Sequence, residues 1–189
     1  LDVMVQAREL MEILGVHVET STSEAGAAAM LAASIGYPIR GAVTWKSVVG
    51  TNVASDALSN LASAGVVGGV LIIVGEDFGE GASVIQERTH AFALKSSIWL
   101  LDPRPDLPFL VDIVGRAFEL SEASNTPVML QLRIRACHRY GEFVARDNVR
   151  PAISTRDRLH GPHAFDYARL SHPPATFVQE ADKIERRLP

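Results

Sequence analysis

The chain has 189 residues, of which 47% are hydrophobic and 21% are charged, with 18 Lys and Arg against 22 Asp and Glu. This composition excludes a disordered chain, and the length fits one domain or one domain with a tail. A net charge of −4 with 6% aromatic residues lacks the basic stripe and stacking surfaces that nucleic-acid binding needs. The single cysteine, Cys137, can form neither an internal disulfide nor a Cys-rich metal site, which favours a cytoplasmic protein. The longest apolar run, residues 65–75, is too short to span a membrane.

The first half of the chain alternates helical and strand-like patterns. Apolar residues at helical spacing predict a helix over residues 3–14, and the alternating residues 16–19 (VHVE) predict a short strand. An alanine-rich segment predicts a helix over residues 21–34 that packs closely on a sheet. The next predicted elements are a strand, a helix and an apolar strand, over residues 41–45, 53–64 and 70–74.

The same alternation continues as far as residue 134. A loop rich in glycine and acidic residues precedes two helix–strand pairs, predicted over residues 83–94, 98–101, 107–124 and 128–134. Helices that alternate with short apolar strands predict an α/β fold, with a mostly parallel sheet and helices on both faces. We therefore expect an α/β domain over residues 1–140. The periodicity fails beyond it, and residues 141–189 are interpreted as a linker or arm towards another domain.

Polar residues that could carry chemistry follow the predicted strands, where ligands of α/β sheets collect. Glu24 follows Ser21 by three residues at a helix start, the spacing of a capping box in which each side chain binds the other's backbone amide. Lys46 and Asn52 lie in a polar loop that could bind an anion, or Thr51 or Asn52 only caps a helix while Lys46 is solvated. The acidic loop over residues 75–81 lacks the spacing of a phosphate-binding loop, so it is either a solvated turn or a divalent-ion site.

A longer run of motifs resembles a known family. Residues 21–83 (STSEAGAAAM to GEDFGEGAS) resemble the pyrimidine-binding domain of the large subunit of indolepyruvate:ferredoxin oxidoreductase, a thiamine diphosphate-dependent 2-oxoacid oxidoreductase. Residues 118–138 (FELSEASNTPVMLQLRIRACH) resemble the family's last helix and strand, so the order of features matches over nearly the whole stretch 16–138. In that family asparagine, glutamate and lysine open the alanine-rich helix, and a loop of methionine, lysine, histidine, valine, glycine, leucine, asparagine and valine precedes the next one. Glu24 and the loop WKSVVGTNV match those features here. Ser23, Ala25 and Ser47 depart from the pattern, so the substrate can differ from indolepyruvate.

The resemblance implies roles for five residues. Glu24 would hydrogen-bond the ring nitrogen of the cofactor's aminopyrimidine and so activate thiamine diphosphate. Four further residues would lie near the cofactor or the substrate: Lys46, Asn52, Gln86 and Glu87. The implied reaction is the oxidative decarboxylation of an arylpyruvate to acyl-CoA and CO2, with electrons passed to ferredoxin.

The resemblance also implies components outside this chain. In the family the first strand would precede Leu1, a separate domain holds the diphosphate with Mg²⁺, and iron–sulfur clusters are carried elsewhere in the complex. We therefore expect a piece of a longer polypeptide that is inactive alone and forms a homodimer. Its expected partners are the diphosphate-binding domain, the small subunit, ferredoxin and coenzyme A, with no nucleic acid or membrane.

Two other hypotheses remain open at the level of the sequence. The chain could be a non-catalytic α/β protein-interaction module in which Glu24 is only a helix cap. It could also be a nucleotide-binding protein of flavodoxin type, which would carry a flavin.

Overall fold

The computed structural model describes residues 2–35, 37–79, 83–149 and 172–189. Its helices are α1 (Asp2–Gln6), α2 (Arg8–Ile13), α3 (Glu24–Met30), α4 (Ser55–Ala64), α5 (Thr89–Ser96), α6 (Leu107–Ser124), α7 (Ile134–Cys137) and α8 (Ala175–Asp182). Its strands are β1 (Gly41–Lys46), β2 (Val70–Glu76), β3 (Trp99–Leu101) and β4 (Val128–Arg133). A 3₁₀ turn covers Leu31–Ile35, and two π-helical turns cover Ser47–Thr51 and Lys183–Arg187.

The four strands form one parallel sheet in the order β1-β2-β4-β3. One face packs against α3 and α4, where Ala28 and Leu58 join a core with Ile72 and Met129. The other face is covered by α6. α4 connects β1 to β2, α5 connects β2 to β3, and α6 connects β3 back to β4. Because these crossover connections have the same hand, the helix that runs back across the sheet lies on the opposite face. The predicted α/β fold with a mostly parallel sheet is confirmed.

The predicted strands and the long helix agree closely with the structure. All four strands expected over residues 41–134 are present, and α6 begins and ends at the predicted residues. The Asp106 carboxylate accepts the backbone amide of Phe109 at its start, and Asn125 ends it with a φ of 51°. An acidic N-cap and a left-handed asparagine are both local signals, so the sequence alone contains them.

Four of the predicted elements are wrong in part or in whole. Residues 16–19 form no strand and pair with none of the described strands. An alternating pattern stabilises a strand only through side-chain pairs with a neighbouring strand. The helix predicted over residues 83–94 begins only at Thr89, because the buried Glu76 carboxylate accepts the Thr89 amide at 2.9 Å. The first helix is broken at Ala7, and the alanine-rich segment is helical only from Glu24, continuing past Met30 as the 3₁₀ turn.

Residues 172–189, within the predicted arm, pack against α4. Every fourth residue of α8 and the π-helical turn that follows it is buried: Ala175, Gln179, Lys183 and Arg187. The domain boundary at residue 140 stays a prediction. None of the helices in the described ranges is long and apolar enough to cross a membrane.

Candidate functional site

Glu24 is the first residue of α3, and a neighbouring serine caps that helix. Ser23 has an extended backbone, and its Oγ accepts the Gly26 amide at 3.1 Å. Ser21 lies outside the helix, where its hydroxyl donates to the Ser23 carbonyl at 2.8 Å. The capping box between Ser21 and Glu24 is therefore wrong. The residue three positions after the true cap is Gly26, which has no side chain to return the bond.

The start of α3, where Glu24 lies, is at the carboxyl edge of the sheet. Leu31, just after α3, lies beside Gly41 at the start of β1, so the other end of α3 points to the opposite edge. α3 also contacts the π-helical turn Ser47–Thr51, which follows β1. Glu24 is half-buried, and within the described part of the chain it has no hydrogen bond or ion pair. Its structural contribution is that of an acidic side chain in the first turn of a helix, with no bonded partner among the described residues.

Lys46 ends β1 and forms an ion pair with the loop after β2. Its Nζ lies 3.1 Å from Oδ2 of Asp77, and the neighbouring strands place Lys46 beside Gly75. A hydrogen bond from the Ser83 hydroxyl, followed by the Lys46 ammonium, lowers the pKa of Asp77. The Lys46 side chain is 51% exposed, so it lies on the rim of the site.

The π-helical turn Ser47–Thr51 is shaped by Trp45. The indole Nε1 donates to Oγ1 of Thr51 at 3.2 Å, and Gly50 lies directly against the ring. A Cβ atom at Gly50 would come within 2.3 Å of the indole. Turns of this width inside helices often occur at functional sites, and this one joins β1 to the helical region of α4.

Asn52, Gln86 and Glu87 are held in local contacts. The Asn52 amide donates to the Val48 carbonyl at 2.8 Å and to the Glu87 carboxylate. The Gln86 side chain accepts the Gly79 amide at 2.6 Å and donates to the Ser83 carbonyl at 3.1 Å. Neither Thr51 nor Asn52 caps α4, whose N-cap is Ala54, so that interpretation is wrong. The bond between Asn52 and Glu87 joins the turn after β1 to the loop after β2, whereas Gln86 braces that loop internally.

Two features of this edge were not predicted. Glu76 is buried at the end of β2 and holds the first turn of α5, so the solvated-turn interpretation of this loop is wrong for it. The sequence contains a signal for this role of Glu76, because an acidic residue directly ends an apolar strand. Asp102, after β3, accepts from Nε of Arg133 at 3.0 Å and lies 3.6 Å from His90, and the Arg133 bond lowers its pKa. No group of three His, Cys, Asp or Glu side chains that could hold a metal occurs in the residues described.

No protein-family model matches the sequence. The indolepyruvate oxidoreductase subunit IorA of Pyrococcus horikoshii is 32% identical over 130 residues, which are 69% of this chain and 20% of that protein. The subunit of the same name from Thermococcus kodakarensis is 30% identical over 183 residues, covering 92% of this chain and 28% of that protein. A solved structure from Mycobacterium smegmatis, provisionally named as a thiamin diphosphate-dependent enzyme, is 15% identical and superposes with a TM-score of 0.49 over 68% of this chain and 26% of that one.

The sequence relationship extends over most of this chain but over a small part of its relatives. The chain spans a fifth to somewhat more than a quarter of the length of these two curated relatives. It is therefore homologous to a part of the IorA subunit of indolepyruvate oxidoreductases.

Proposed function

We propose that the chain forms the pyrimidine-binding part of a thiamine diphosphate-dependent 2-oxoacid:ferredoxin oxidoreductase, in which Glu24 activates the cofactor. One observation carries the proposal: Glu24 is the first residue of α3 and is half-buried, while the N-cap of the helix is Ser23. The relationship to IorA supports the reaction class. For the whole protein we propose oxidative decarboxylation of an arylpyruvate such as indolepyruvate to acyl-CoA and CO2, with electrons passed to ferredoxin.

Glu24 fits one end of this cofactor. The ring nitrogen of an aminopyrimidine needs a hydrogen-bond partner, and a carboxyl group without a partner in the described chain offers one. When bound, thiamine diphosphate supplies the carbanion chemistry that removes CO2 from a 2-oxoacid. The task of Glu24 is to hold a proton at the ring nitrogen through a carboxylate oxygen. We assign the diphosphate and Mg²⁺ to a separate domain, and the iron–sulfur clusters to another part of the complex.

The other four residues contribute in two ways. Lys46 is a half-exposed cation on the rim, paired on one side with Asp77, and it can orient an anionic substrate. Asn52, Gln86 and Glu87 already bond to neighbouring groups, so they shape the edge of the site as positioning residues. We propose that a second copy of the chain and the diphosphate-binding domain complete the site, in a cytoplasmic complex with the small subunit.

Two neighbouring substitutions test the role of Glu24 in the intact enzyme. Glu24→Gln keeps the size of the side chain but removes the acid, so we expect kcat for 2-oxoacid-dependent dye reduction to fall at least about 100-fold. Ser23→Ala removes the cap, so we expect it to cost about 1 kcal/mol of stability while kcat is preserved. Retention of kcat in Glu24→Gln, or a loss of stability as large as that in Ser23→Ala, would contradict the proposal.

Cofactor analysis of the complex purified through this chain separates the remaining candidates. Thiamine diphosphate together with iron is the expected result. Thiamine diphosphate without iron would indicate a non-oxidative decarboxylase or transferase. A flavin would support a nucleotide-binding protein, and the absence of all three would support an interaction module.

A further inference from the structure

A layer of buried polar side chains lies at the carboxyl edge of the sheet, on the face covered by α3 and α4. Val74 of β2 and Met129 of β4 belong to the apolar core on this face. Side chains two residues apart on a strand point to the same face, so Glu76 and Gln131 continue that core towards the edge. Glu76 is 5% exposed and Gln131 is 0% exposed. The apolar core of this face therefore ends in polar groups that are themselves buried.

The start of α5 adds a third buried polar side chain to this layer. The pairing of β2 with β4 places Val74 beside Gln131 and Glu76 two residues further on, a separation that two long side chains can bridge. Thr89 begins α5 beside Glu76, whose carboxylate accepts the Thr89 amide at 2.9 Å. Thr89 is 2% exposed. The side chains of Glu76, Thr89 and Gln131 thus share one buried region between the two central strands and the start of α5.

Two of these three side chains lack hydrogen bonds. The Thr89 hydroxyl and both polar atoms of the Gln131 amide are buried and have no hydrogen-bond partner among the described residues. The Gln131 amide faces Asp102, whose pKa is lowered chiefly by Arg133 and to a smaller degree by this amide, but the two groups do not reach hydrogen-bonding geometry. Buried donors and acceptors almost always have a partner, because leaving them without one costs free energy. These atoms therefore point to a ligand.

We propose that Thr89, Gln131 and Glu76 bind an ordered water molecule between the sheet and the start of α5. A buried water typically makes about three hydrogen bonds to polar groups that otherwise lack partners. Here it accepts from the Thr89 hydroxyl and donates to the Gln131 carbonyl and the Glu76 carboxylate. A neutral ligand is favoured over a cation, because Glu76 already lies at the amide end of α5, where the helix dipole is positive.

This water would be a structural component of the edge that carries the candidate site. The loop that contains Gln86 and Glu87 leaves β2 at Glu76 and enters α5 at Thr89, so both of its ends lie in the buried layer. The bond between Glu76 and Thr89 joins α5 to β2. A water bound to Gln131 adds a connection from α5 to β4, so it would hold the base of the loop against both central strands.

Oxygen-17 magnetic relaxation dispersion tests the proposal, because it counts the long-lived internal water molecules of the purified full chain. The double variant Thr89→Val with Gln131→Met replaces both unpartnered groups with apolar side chains of similar size. It should lower the count by about one, because Glu76 alone cannot hold a buried water. Thr126→Val is the matched control. Thr126 is also fully buried, but its hydroxyl already donates to the Ser124 carbonyl at 3.1 Å, so the count should not change.

Four results would overturn the proposal. The first two are an unchanged count in the double variant and an equal loss in Thr126→Val. The third is a high-resolution crystal structure of the wild type in which the Thr89 hydroxyl and the Gln131 amide bond only to other protein groups. The fourth is anomalous scattering from thallium(I) at this position in soaked crystals, which would indicate a monovalent cation instead.

Thermal unfolding checks that the variants are folded, and Gln131→Met alone serves if the double variant is not. The crystal structure of the wild type needs no variant at all. Because these measurements depend neither on Glu24 nor on turnover, the bound water and the proposed function can fail separately.

Discussion

Gly50 lies directly against the indole ring of Trp45, in the turn that follows β1. Alanine at this position would place its Cβ 2.3 to 2.6 Å from three side-chain atoms of Trp45, so either the ring or the turn must move. We expect Gly50→Ala to cost about 1–3 kcal/mol of unfolding free energy, as overpacking does elsewhere. Gly115→Ala is the matched control, because nothing lies within 4 Å of its Cβ position in α6. It should stabilise the protein by up to about 1 kcal/mol. Denaturant unfolding of both variants measures this, and equal effects would contradict the packing argument.

The ion pair between Arg40 and Glu122 predicts a pH dependence of stability. Two bonds of 2.6 and 2.8 Å from the Arg40 guanidinium lower the pKa of the Glu122 carboxyl. Below the unfolded value of about 4.3, the unfolded chain therefore binds more protons than the folded one. The stabilisation is complete above about pH 5 and is lost as the pH falls through the folded pKa.

Glu122→Gln should therefore flatten the dependence of unfolding free energy on pH between about pH 5 and pH 3. Glu9→Gln, an exposed change on α2, is the control and should leave the slope close to that of the wild type. Urea unfolding at a series of pH values measures both. A slope in Glu122→Gln as steep as in the wild type would show that the ion pair contributes nothing measurable.

At the scale of the elements, the end of α4 at Ala64 depends on Arg187, which lies 123 residues further along the chain. The Arg187 guanidinium is buried and donates to the carbonyls of Ala62 and Ser63 in the last turn of α4, and to that of Asn125 after α6. The carbonyls of Ala62 and Ser63 are among those that a helix end leaves without an intrahelical partner, whereas the Asn125 carbonyl also accepts the Val66 amide at 3.0 Å. One side chain therefore joins α8 to two helix ends.

Replacing Arg187 with Met should cost about 2–3 kcal/mol of stability, because the buried carbonyls lose their donors. Arg186→Met is the neighbouring control. That arginine is exposed, and among the described residues it pairs with Asp182 four positions earlier, so its loss should leave the unfolding free energy close to that of the wild type. Thermal and denaturant unfolding compare the two variants, and a similar cost for both would contradict a capping role for Arg187.

The end of a helix can be predicted from the sequence when the residue that terminates it lies close by along the chain. Both ends of α6 are determined within a turn of the helix, by Asp106 and Asn125, and both are predicted. The start of α5 depends on the Glu76 carboxylate, 13 residues earlier, and is predicted six residues too early. The packed stripe of α8 and the turn after it is mostly polar, so a search for apolar periodicity does not find it.

The same distinction applies to the site as a whole. Motif order predicts Glu24 near a helix start and Lys46 just after a strand; α3 begins at Glu24 itself, and Lys46 is the last residue of β1. The contacts between Asn52 and Glu87 and between Lys46 and Asp77 join residues 35 and 31 positions apart. Such pairs are created by the neighbouring positions of β1 and β2, which no local pattern contains.

At the scale of the whole molecule, the sheet predicts an order of local stability. β2 and β4 lie in the middle of the sheet, with Leu71, Ile72 and Met129 fully buried, whereas the outward-facing residues of β1 are exposed and β1 pairs only with β2 among the described strands. We therefore expect the amides of β2 and β4 to exchange only through global unfolding, and those of β1 to exchange faster.

Hydrogen exchange on the purified protein, read by residue, tests this order. Faster exchange in β1 than in β2 by at least about tenfold is the expected result, because opening an edge strand breaks fewer contacts than opening a central one. β3, with three residues at the other edge, should behave like β1. If β1 instead exchanges as slowly as β2, its outer edge must be covered by another strand or subunit. The comparison would then locate an interface of the assembled enzyme beside Lys46 and the turn that follows it.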